Sequence, residues 1–230
     1  MNQAREKAVA LKREAPVRRD RARAAAAPPR PDKQMHIITT ARDLFFARGF
    51  SASSMEAVAK QAGVGKATLY ELFPNKVELL RAVINIELDT RANELVLVDS
   101  GPGELRAVLV KFSHSLIDLL LSKANIGIYR IISAETPQHP YLGQFFYDNG
   151  PAKVIGRLAR HFEMLMEDGR LHYGDPLLMA RQFIGIIRAD MQTRAMLGID
   201  EEKLRIDRAT ILESGVDAFL RAYAKPRVSE

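Results

Sequence analysis

Apolar residues recur every three or four positions over most of the chain, and short breaks rich in glycine, proline and asparagine separate these stretches. This spacing places the apolar side chains on one face of an α-helix. No stretch shows the strict two-residue alternation of a half-buried strand. The pattern therefore predicts an all-α protein of about nine helices.

The breaks also predict where the longer helices begin and end. After residue 75 we expect six helices, over 76–97, 104–122, 126–135, 141–167, 176–197 and 204–223. The helix over 141–167 contains Asn149-Gly150-Pro151. Because proline lacks a backbone donor, a bend at that point is compatible with the pattern.

Before these long helices, residues 53–72 predict two short helices joined by a sharp turn. Ser53 followed by Glu56 matches a capping box, in which each side chain satisfies the other residue's backbone N–H. Gly63 can take the positive φ that such a turn requires. The second helix, Lys66 to Leu72, is only about two turns long, so it depends on packing rather than on its own stability.

The exposed face of this second helix carries groups suited to DNA. At about 100° per residue, Lys66, Ala67, Tyr70 and Glu71 lie on the side away from Leu69 and Leu72. The Glu71 carboxylate would either accept from a cytosine amino group or lie at the edge of the contact, since facing a phosphate would be repulsive. Lysine can donate to guanine or to a phosphate, alanine can touch a thymine methyl group, and the tyrosine hydroxyl can reach a phosphate. Thr68 can donate to a phosphate or to the backbone carbonyl of Val64.

A further helix start follows at Asn75, which with Glu78 resembles another capping box. Lys76 lies in the first turn, where free backbone N–H groups and an ammonium group would together bind a phosphate. The two helix starts and the exposed helical face thus predict a helix-turn-helix DNA-binding unit.

The chain resembles the TetR family of bacterial transcriptional regulators over residues 37–80. The matching residues are Ile37, Ile38, Ala41, Leu44, Phe45, Gly49-Phe50, Ser53-Ser54, Val58-Ala59, Ala62-Gly63-Val64, Thr68-Leu69-Tyr70, Phe73 and Asn75 to Leu80. The chain departs from the family pattern at Gly65, where the family more often has serine, and at Leu72, where it more often has an aromatic residue or histidine.

The resemblance implies a homodimer with two heads in successive major grooves of a near-palindromic operator, and a larger C-terminal domain that senses a small molecule. It divides the chain into an arm (1–32), a DNA-binding domain (33–80) and a ligand-sensing and dimerisation domain (81–230). The residues expected to contact DNA are Ser53, Ser54, Gly65, Lys66, Ala67, Thr68, Tyr70 and Lys76. Two alternatives stay open: a DNA-binding protein with no effector, and a purely structural set of helices.

Composition is compatible with a regulator that stays in the cytoplasm. The 230 residues are 47% hydrophobic and include no cysteine, so disulfides are excluded. No uncharged apolar stretch approaches the roughly 18 residues of a membrane span, and the N-terminus lacks the apolar core of a signal peptide.

Positive charge is concentrated at the N-terminus. Residues 1–36 hold ten Lys/Arg and four Asp/Glu, which accounts for the whole net charge of +6. This arm lacks an apolar stripe and is expected to be disordered when free. It either contacts DNA phosphates or a minor groove, or serves as a solvated tail.

The C-terminal part predicts a ligand pocket and a dimer interface less sharply. Candidate pocket residues are Phe112, His114, Tyr129, Phe146, Tyr147, Phe162 and Phe183, although aromatic residues at helical spacing are more often core residues. The last two predicted helices carry wide apolar stripes, which in the TetR family pair with their counterparts in a four-helix interface. The residues expected there are Phe183, Ile187, Met191, Leu212, Val216, Phe219 and Tyr223, and the alternative is that they form the core of one subunit.

The segment from Phe145 to Pro151, with Asp175-Pro176 and Phe183, resembles the C-terminal domain of AefR-like regulators. An enzyme is not expected, because the five histidines show no metal-binding spacing and there is neither a nucleophile elbow nor a glycine-rich phosphate loop. We therefore expect no catalytic residues, no metal and no cofactor.

Overall fold

The protein is described from a computed structural model that covers residues 31–92, 95, 97, 104–199 and 207–226. All but the last two residues of the predicted arm lie outside these ranges. The described residues form helices and one isolated bridge between Leu171 and Ala224, which confirms the all-α fold class. The helices are α1 (Pro31–Arg48), α2 (Met55–Gln61), α3 (Lys66–Leu72), α4 (Lys76–Ala92), α5 (Leu105–Leu121), α6 (Lys123–Glu135), α7 (Pro140–Asn149), α8 (Pro151–Glu167), α9 (Pro176–Arg188), α10 (Met191–Leu197) and α11 (Arg208–Tyr223).

Two expected helices are each divided, so the described residues contain eleven helices rather than nine. The expected helix over 141–167 stops at Gly150 and restarts with Pro151 as the first residue of α8, a position where its missing N–H costs nothing. The expected helix over 176–197 is broken at Ala189, whose φ of 44° lies outside the helical region. The fourth helix ends at Ala92 and does not include Leu95 or Leu97.

The first of two buried cores lies under α1 to α4. Its fully buried side chains include Phe45, Leu69 and Ile84. The same core continues into α6 and α7 through Ile128 and Phe146, among others. The N-terminal helices are therefore packed directly on two helices of the C-terminal part.

The second core joins α5, α8, α9 and α11. At its centre the rings of Phe162, Phe183 and Phe219 pack together, with centroid separations of 5.8 Å (Phe162–Phe183), 5.0 Å (Phe162–Phe219) and 4.9 Å (Phe183–Phe219). All three side chains are fully buried.

This core corrects two expectations. Phe112, Phe162 and Phe183 were expected at a pocket wall but are packing residues of the second core. The stripe expected at a dimer interface is also buried within the single subunit, at Phe183, Ile187, Met191, Leu212, Val216 and Phe219, with Tyr223 packed at its edge. The alternative interpretation of that stripe, a subunit core, is the one that the structure supports.

Gly150, between α7 and α8, lies very close to the α4 helix. A Cβ atom at Gly150 would lie 2.8 Å from Leu88 Cδ2 of α4. It would also lie 3.2 Å from the Phe146 carbonyl oxygen, so a larger residue at position 150 would require the Leu88 side chain to move and would crowd the end of α7.

Candidate functional site

The start of α2 is one residue later than the sequence predicts. Ser54, not Ser53, is the N-cap, and its Oγ accepts a hydrogen bond from the Ala57 backbone N–H at 3.1 Å. Ser53 is only 4% exposed, and its hydroxyl donates to the carbonyl of Gly49 at 2.8 Å. The capping box with Ser53 is therefore wrong, and Ser53 is a buried loop residue rather than a DNA contact.

Gly63 provides the turn between α2 and α3 with a φ of 63°. The α3 helix then begins after Gly65, which caps it without a side-chain hydrogen bond. Of its seven residues, only Leu69 is buried. A helix this short is held in place by that contact and by the partly buried Leu72.

The face of α3 directed to solvent carries the predicted reading residues. Lys66 is 67% exposed and Tyr70 is 43% exposed, and both Gly65 and Ala67 are also exposed. Thr68 is half-buried and lies nearer the body of the molecule. The structure thus places a cationic and a phenolic side chain on one open helical surface.

Glu56 lies beside this surface. Its carboxylate is 3.6 Å from Lys66 Nζ. A hydrogen bond from its own backbone N–H, and then the charge of Lys66, lower the pKa of Glu56. Because both side chains are exposed, this pair is weak and leaves Lys66 free to move to another partner.

The start of α4 follows the prediction in part. Asn75 Oδ1 accepts from the Glu78 backbone N–H at 2.9 Å, but the Glu78 carboxylate bonds to Arg81 at 3.0 Å instead of completing a capping box.

Lys76 makes contacts that the sequence did not indicate. Its Nζ donates to the carbonyls of Phe50 and Ser53, each at 2.9 Å, and to that of Ser51 at 3.4 Å. The same ammonium lies 4.3 Å from the centre of the Phe50 ring. It therefore fastens the α1–α2 loop to the start of α4, and a phosphate contact would have to form beside these bonds or replace them.

Replacing Lys76 with methionine should lower the free energy of unfolding by about 1–3 kcal/mol, because up to three carbonyls lose a charged donor. Urea denaturation followed by circular dichroism measures this, with Lys60→Met on the exposed surface of α2 as the matched control. A variant of unchanged stability whose DNA affinity loses about one unit of salt slope would instead identify Lys76 as a phosphate ligand.

A cavity of about 290 Å³ lies in the C-terminal part, between α4 to α9 and the start of α10. Leucine, isoleucine and valine side chains form most of its wall, together with Tyr129, Phe146 and Tyr147. The rings of Tyr129 and Phe146 meet edge to face at 4.8 Å. These three are the only members of the predicted pocket set that line it, since Phe112, Phe162 and Phe183 are core residues and the half-buried His114 lies elsewhere on α5.

Sequence reasoning missed the polar lining of the cavity. Asn125, Arg181, Arg188, Gln192 and Glu87 all face it. Arg188 Nη1 donates to Gln192 Oε1 at 3.3 Å. Burial raises the pKa of the Tyr129 hydroxyl, while the nearby Gln192 amide and Arg188 charge act in the opposite direction.

Two polar links connect the C-terminal part to the N-terminal helices. Arg42 of α1 donates to the buried Glu87 carboxylate of α4 at 3.0 Å, and Glu87 also lines the cavity. Ser51 donates to the buried Glu135 carboxylate of α6 at 2.6 Å. Burial strengthens both links, and neither had a sequence signal because the partners are 45 and 84 positions apart.

Comparison with known proteins identifies the family. Residues 37–83 match the model of bacterial regulatory proteins of the tetR family. Residues 107–225, just over half of the chain, match the C-terminal domain of AefR-like transcriptional repressors. The chain therefore belongs to the TetR family of transcriptional regulators: it is a non-enzymatic, DNA-binding helix-turn-helix regulator.

Individual relatives agree with this assignment. The flavonoid-responsive regulator FrrA is 32% identical, and the match covers 85% of this chain and 99% of FrrA with a TM-score of 0.74. A TetR-family regulator from Pseudomonas syringae pv. tomato, 24% identical, shares the fold over 86% of this chain and 100% of its own, with a TM-score of 0.69. The transcriptional activator FasR from Mycolicibacterium smegmatis is 36% identical over 61 residues, which are 26% of this chain and only 28% of FasR.

Among the described residues, no helix is long and apolar enough to cross a membrane.

Proposed function

We propose that the protein is a dimeric repressor that binds a palindromic operator through α3 and is released from it by a small, largely apolar effector in the cavity. The observation that carries this proposal is the pairing of two features. The exposed Lys66 and Tyr70 form a reading surface at one end of the molecule, and a cavity of about 290 Å³ borders α4, the helix that follows that surface.

The open face of α3 supports the DNA-binding role. Major-groove recognition requires side chains that donate to base edges and phosphates from an accessible helix. Lys66 and Tyr70 meet that requirement, while Ser54 and Gly65 lie exposed at the starts of α2 and α3, where backbone N–H groups favour a phosphate. The DNA-contacting set proposed here is Ser54, Gly65, Lys66, Ala67, Thr68 and Tyr70, with Lys76 retained only as a candidate phosphate ligand.

A dimer is supported by exposed apolar side chains on α9. Leu178 and Ile186 lie two turns apart and are exposed in the single subunit. Ile186 also lies against the buried Gly215 of α11, so α9 and α11 are packed together next to these exposed side chains. Pairing this surface with its copy would give an isologous interface and the two-fold symmetry that a palindromic site needs.

The position of α4 supports a coupling between effector binding in the cavity and DNA binding at the reading surface. Its first turn is bonded to the α1–α2 loop through Lys76, and its Glu87 and Leu88 line the cavity. An effector that binds better to one tilt of α4 would shift the population of head positions. A coupling free energy of about 3 kcal/mol changes operator affinity more than 100-fold.

The cavity favours this sensor over a regulator that has no effector. A protein that only needed to hold its DNA-binding heads would be expected to have a filled helical interior, since cavities destabilise a fold. Here an apolar wall and several convergent polar groups surround empty space, which is the usual form of a small-molecule site.

Selection of binding sites from random duplexes tests the DNA-binding part. A palindromic site bound by two subunits is expected, and mass photometry or light scattering of the complex gives the stoichiometry. Compounds are then screened for release of that site, beginning with flavonoids because FrrA is described as flavonoid-responsive. Recovery of no enriched sequence at low salt would refute the proposal, and transcription from the selected site would show whether the protein represses or activates.

Lys66→Ala should change the base preference at one position of each half-site, because a lysine contact to guanine discriminates by about 1–3 kcal/mol. Selection with the variant measures the preference. Lys60→Ala is the control, since it removes an exposed charge from α2 without altering α3. If both variants retain the original preference, Lys66 does not read a base.

A further inference from the structure

We propose that the cavity takes an aromatic or other ring-bearing apolar molecule that carries an anionic oxygen, either a carboxylate or an acidic phenolate, and that this oxygen binds at Gln192 and Arg188. This inference rests on the proposed function, because it gives the chemical class of the effector.

An unsatisfied donor marks the binding position of the oxygen. Gln192 is only 5% exposed, and its Nε2 makes no hydrogen bond within the described part of the chain, although the amide lies close enough to the Tyr129 hydroxyl to lower that group's pKa. The amide orientation follows from its neighbour, because the Arg188 guanidinium can only donate and therefore selects Oε1. A buried donor without a partner is unfavourable, so a ligand that supplies an acceptor there gains more than one that does not.

The charges around the cavity favour an acceptor oxygen that is negatively charged. Arg181 and Arg188 line it, and neither has an acidic partner among the described residues. Glu87 is the acidic residue of the lining, and its carboxylate already binds Arg42. Both arginines are exposed, so water screens part of their charge, but the lining still carries a net positive charge, and a hydrogen bond to a charged acceptor is the stronger kind.

The apolar side chains of the remaining wall favour a ligand that is mostly apolar. Leu116, Ile128, Val154 and Ile184, with the Tyr129 and Phe146 rings, line a partly open space that favours an apolar molecule of a few rings. A cation would face the two arginines, and a hydrocarbon would leave Gln192 Nε2 unsatisfied. An apolar body with one anionic oxygen meets both requirements.

Calorimetry with three probes of equal shape tests this class: biphenyl-4-carboxylate, biphenyl-4-carboxamide and 4-(aminomethyl)biphenyl. The intact chain should bind the carboxylate at least 10-fold more tightly than the amide, and should bind the amine most weakly. Gln192→Leu should reduce the preference for the carboxylate over the amide, and Gln192→Glu should remove it or favour the amine. Gln144→Leu, the same change at an exposed position of α7 outside the cavity, should leave all three affinities unchanged.

Loss of fold in one variant does not obscure the result. Leucine at position 192 removes a buried unsatisfied donor, so the melting temperature of Gln192→Leu should not fall, and Gln192→Glu provides a second, independent change. The inference is overturned if the carboxylate binds no better than the amide, if none of the probes binds, or if Gln192→Leu keeps the full preference. None of these results affects the operator selection, so a failure of the ligand class is distinguishable from a failure of the regulator proposal.

Discussion

Phe219→Ala is expected to lower the free energy of unfolding by about 3–5 kcal/mol. The Phe219 ring is fully buried, stacks on Phe162 at 5.0 Å and meets Phe183 edge to face at 4.9 Å. Truncation removes these two ring contacts and a third one to Tyr223 at 4.9 Å, and it leaves a cavity where α8, α9 and α11 meet. The neighbouring helices α8 and α9 can close that space only partly, because their Phe162 and Phe183 rings stay packed against each other.

Guanidinium denaturation followed by helical circular dichroism measures this change. The concentration of protein must be the same for both forms, since dimerisation would add to the apparent stability. Tyr173→Ala is the control, because this ring is 75% exposed and its removal should change the stability by less than about 0.5 kcal/mol. A loss below about 1 kcal/mol for Phe219→Ala would mean that the second core is not packed as described.

Leu69→Ala is expected to weaken operator binding about 30-fold or more while leaving most of the helical content intact. Leu69 is the buried residue of the seven-residue α3, and a leucine-to-alanine change in a core costs about 2–5 kcal/mol. A two-turn helix has too little stability of its own to absorb that loss. The fraction of molecules with α3 correctly placed falls, and the apparent Kd rises by the same factor.

Fluorescence anisotropy with the selected operator measures the affinity of Leu69→Ala. Leu69→Met keeps the volume and apolar character, so it should restore affinity to within about 10-fold of the original. Equal affinity of the alanine variant and the original protein would show that α3 does not depend on this contact, and would remove the physical basis of the reading surface.

The sequence was sufficient to predict the helical class and the N-terminal helices because their signals are local. The glycine at position 63, the short amphipathic stretches and the cap at Asn75 all act within a few residues. The cap of α2 was misplaced by one residue, because Ser53 and Ser54 are adjacent and either could accept a backbone N–H. Only the loop conformation, which directs Ser53 to the carbonyl of Gly49, decides between them.

The break between α9 and α10 had no comparable signal. Ala189 takes a φ of 44° although neither glycine nor proline stands at that position. The break is also what allows α10 to direct Gln192 towards the cavity, and that residue was therefore missed.

Periodicity could not separate pocket residues from core residues. Phe162 and Phe146 both lie on apolar faces of amphipathic helices, yet the first is enclosed by the second core while the second borders empty space. A cavity depends on how several helices pack together, so the sequence of one helix does not indicate which of its residues border it. The same limit explains why the apolar stripes of α9 and α11 were expected at a dimer interface but form the interior of one subunit.

The first core has a consequence for hybrid regulators. It includes residues of α1 and α4 together with Ile128, Ile131, Leu142 and others from α6 and α7, so it extends beyond the segment 37–83 that matches the family's DNA-binding model. A head grafted from a relative would have to match a foreign hydrophobic surface as well as its operator. Functional chimaeras of this chain therefore require α6 and α7 to be exchanged, or redesigned, along with the head.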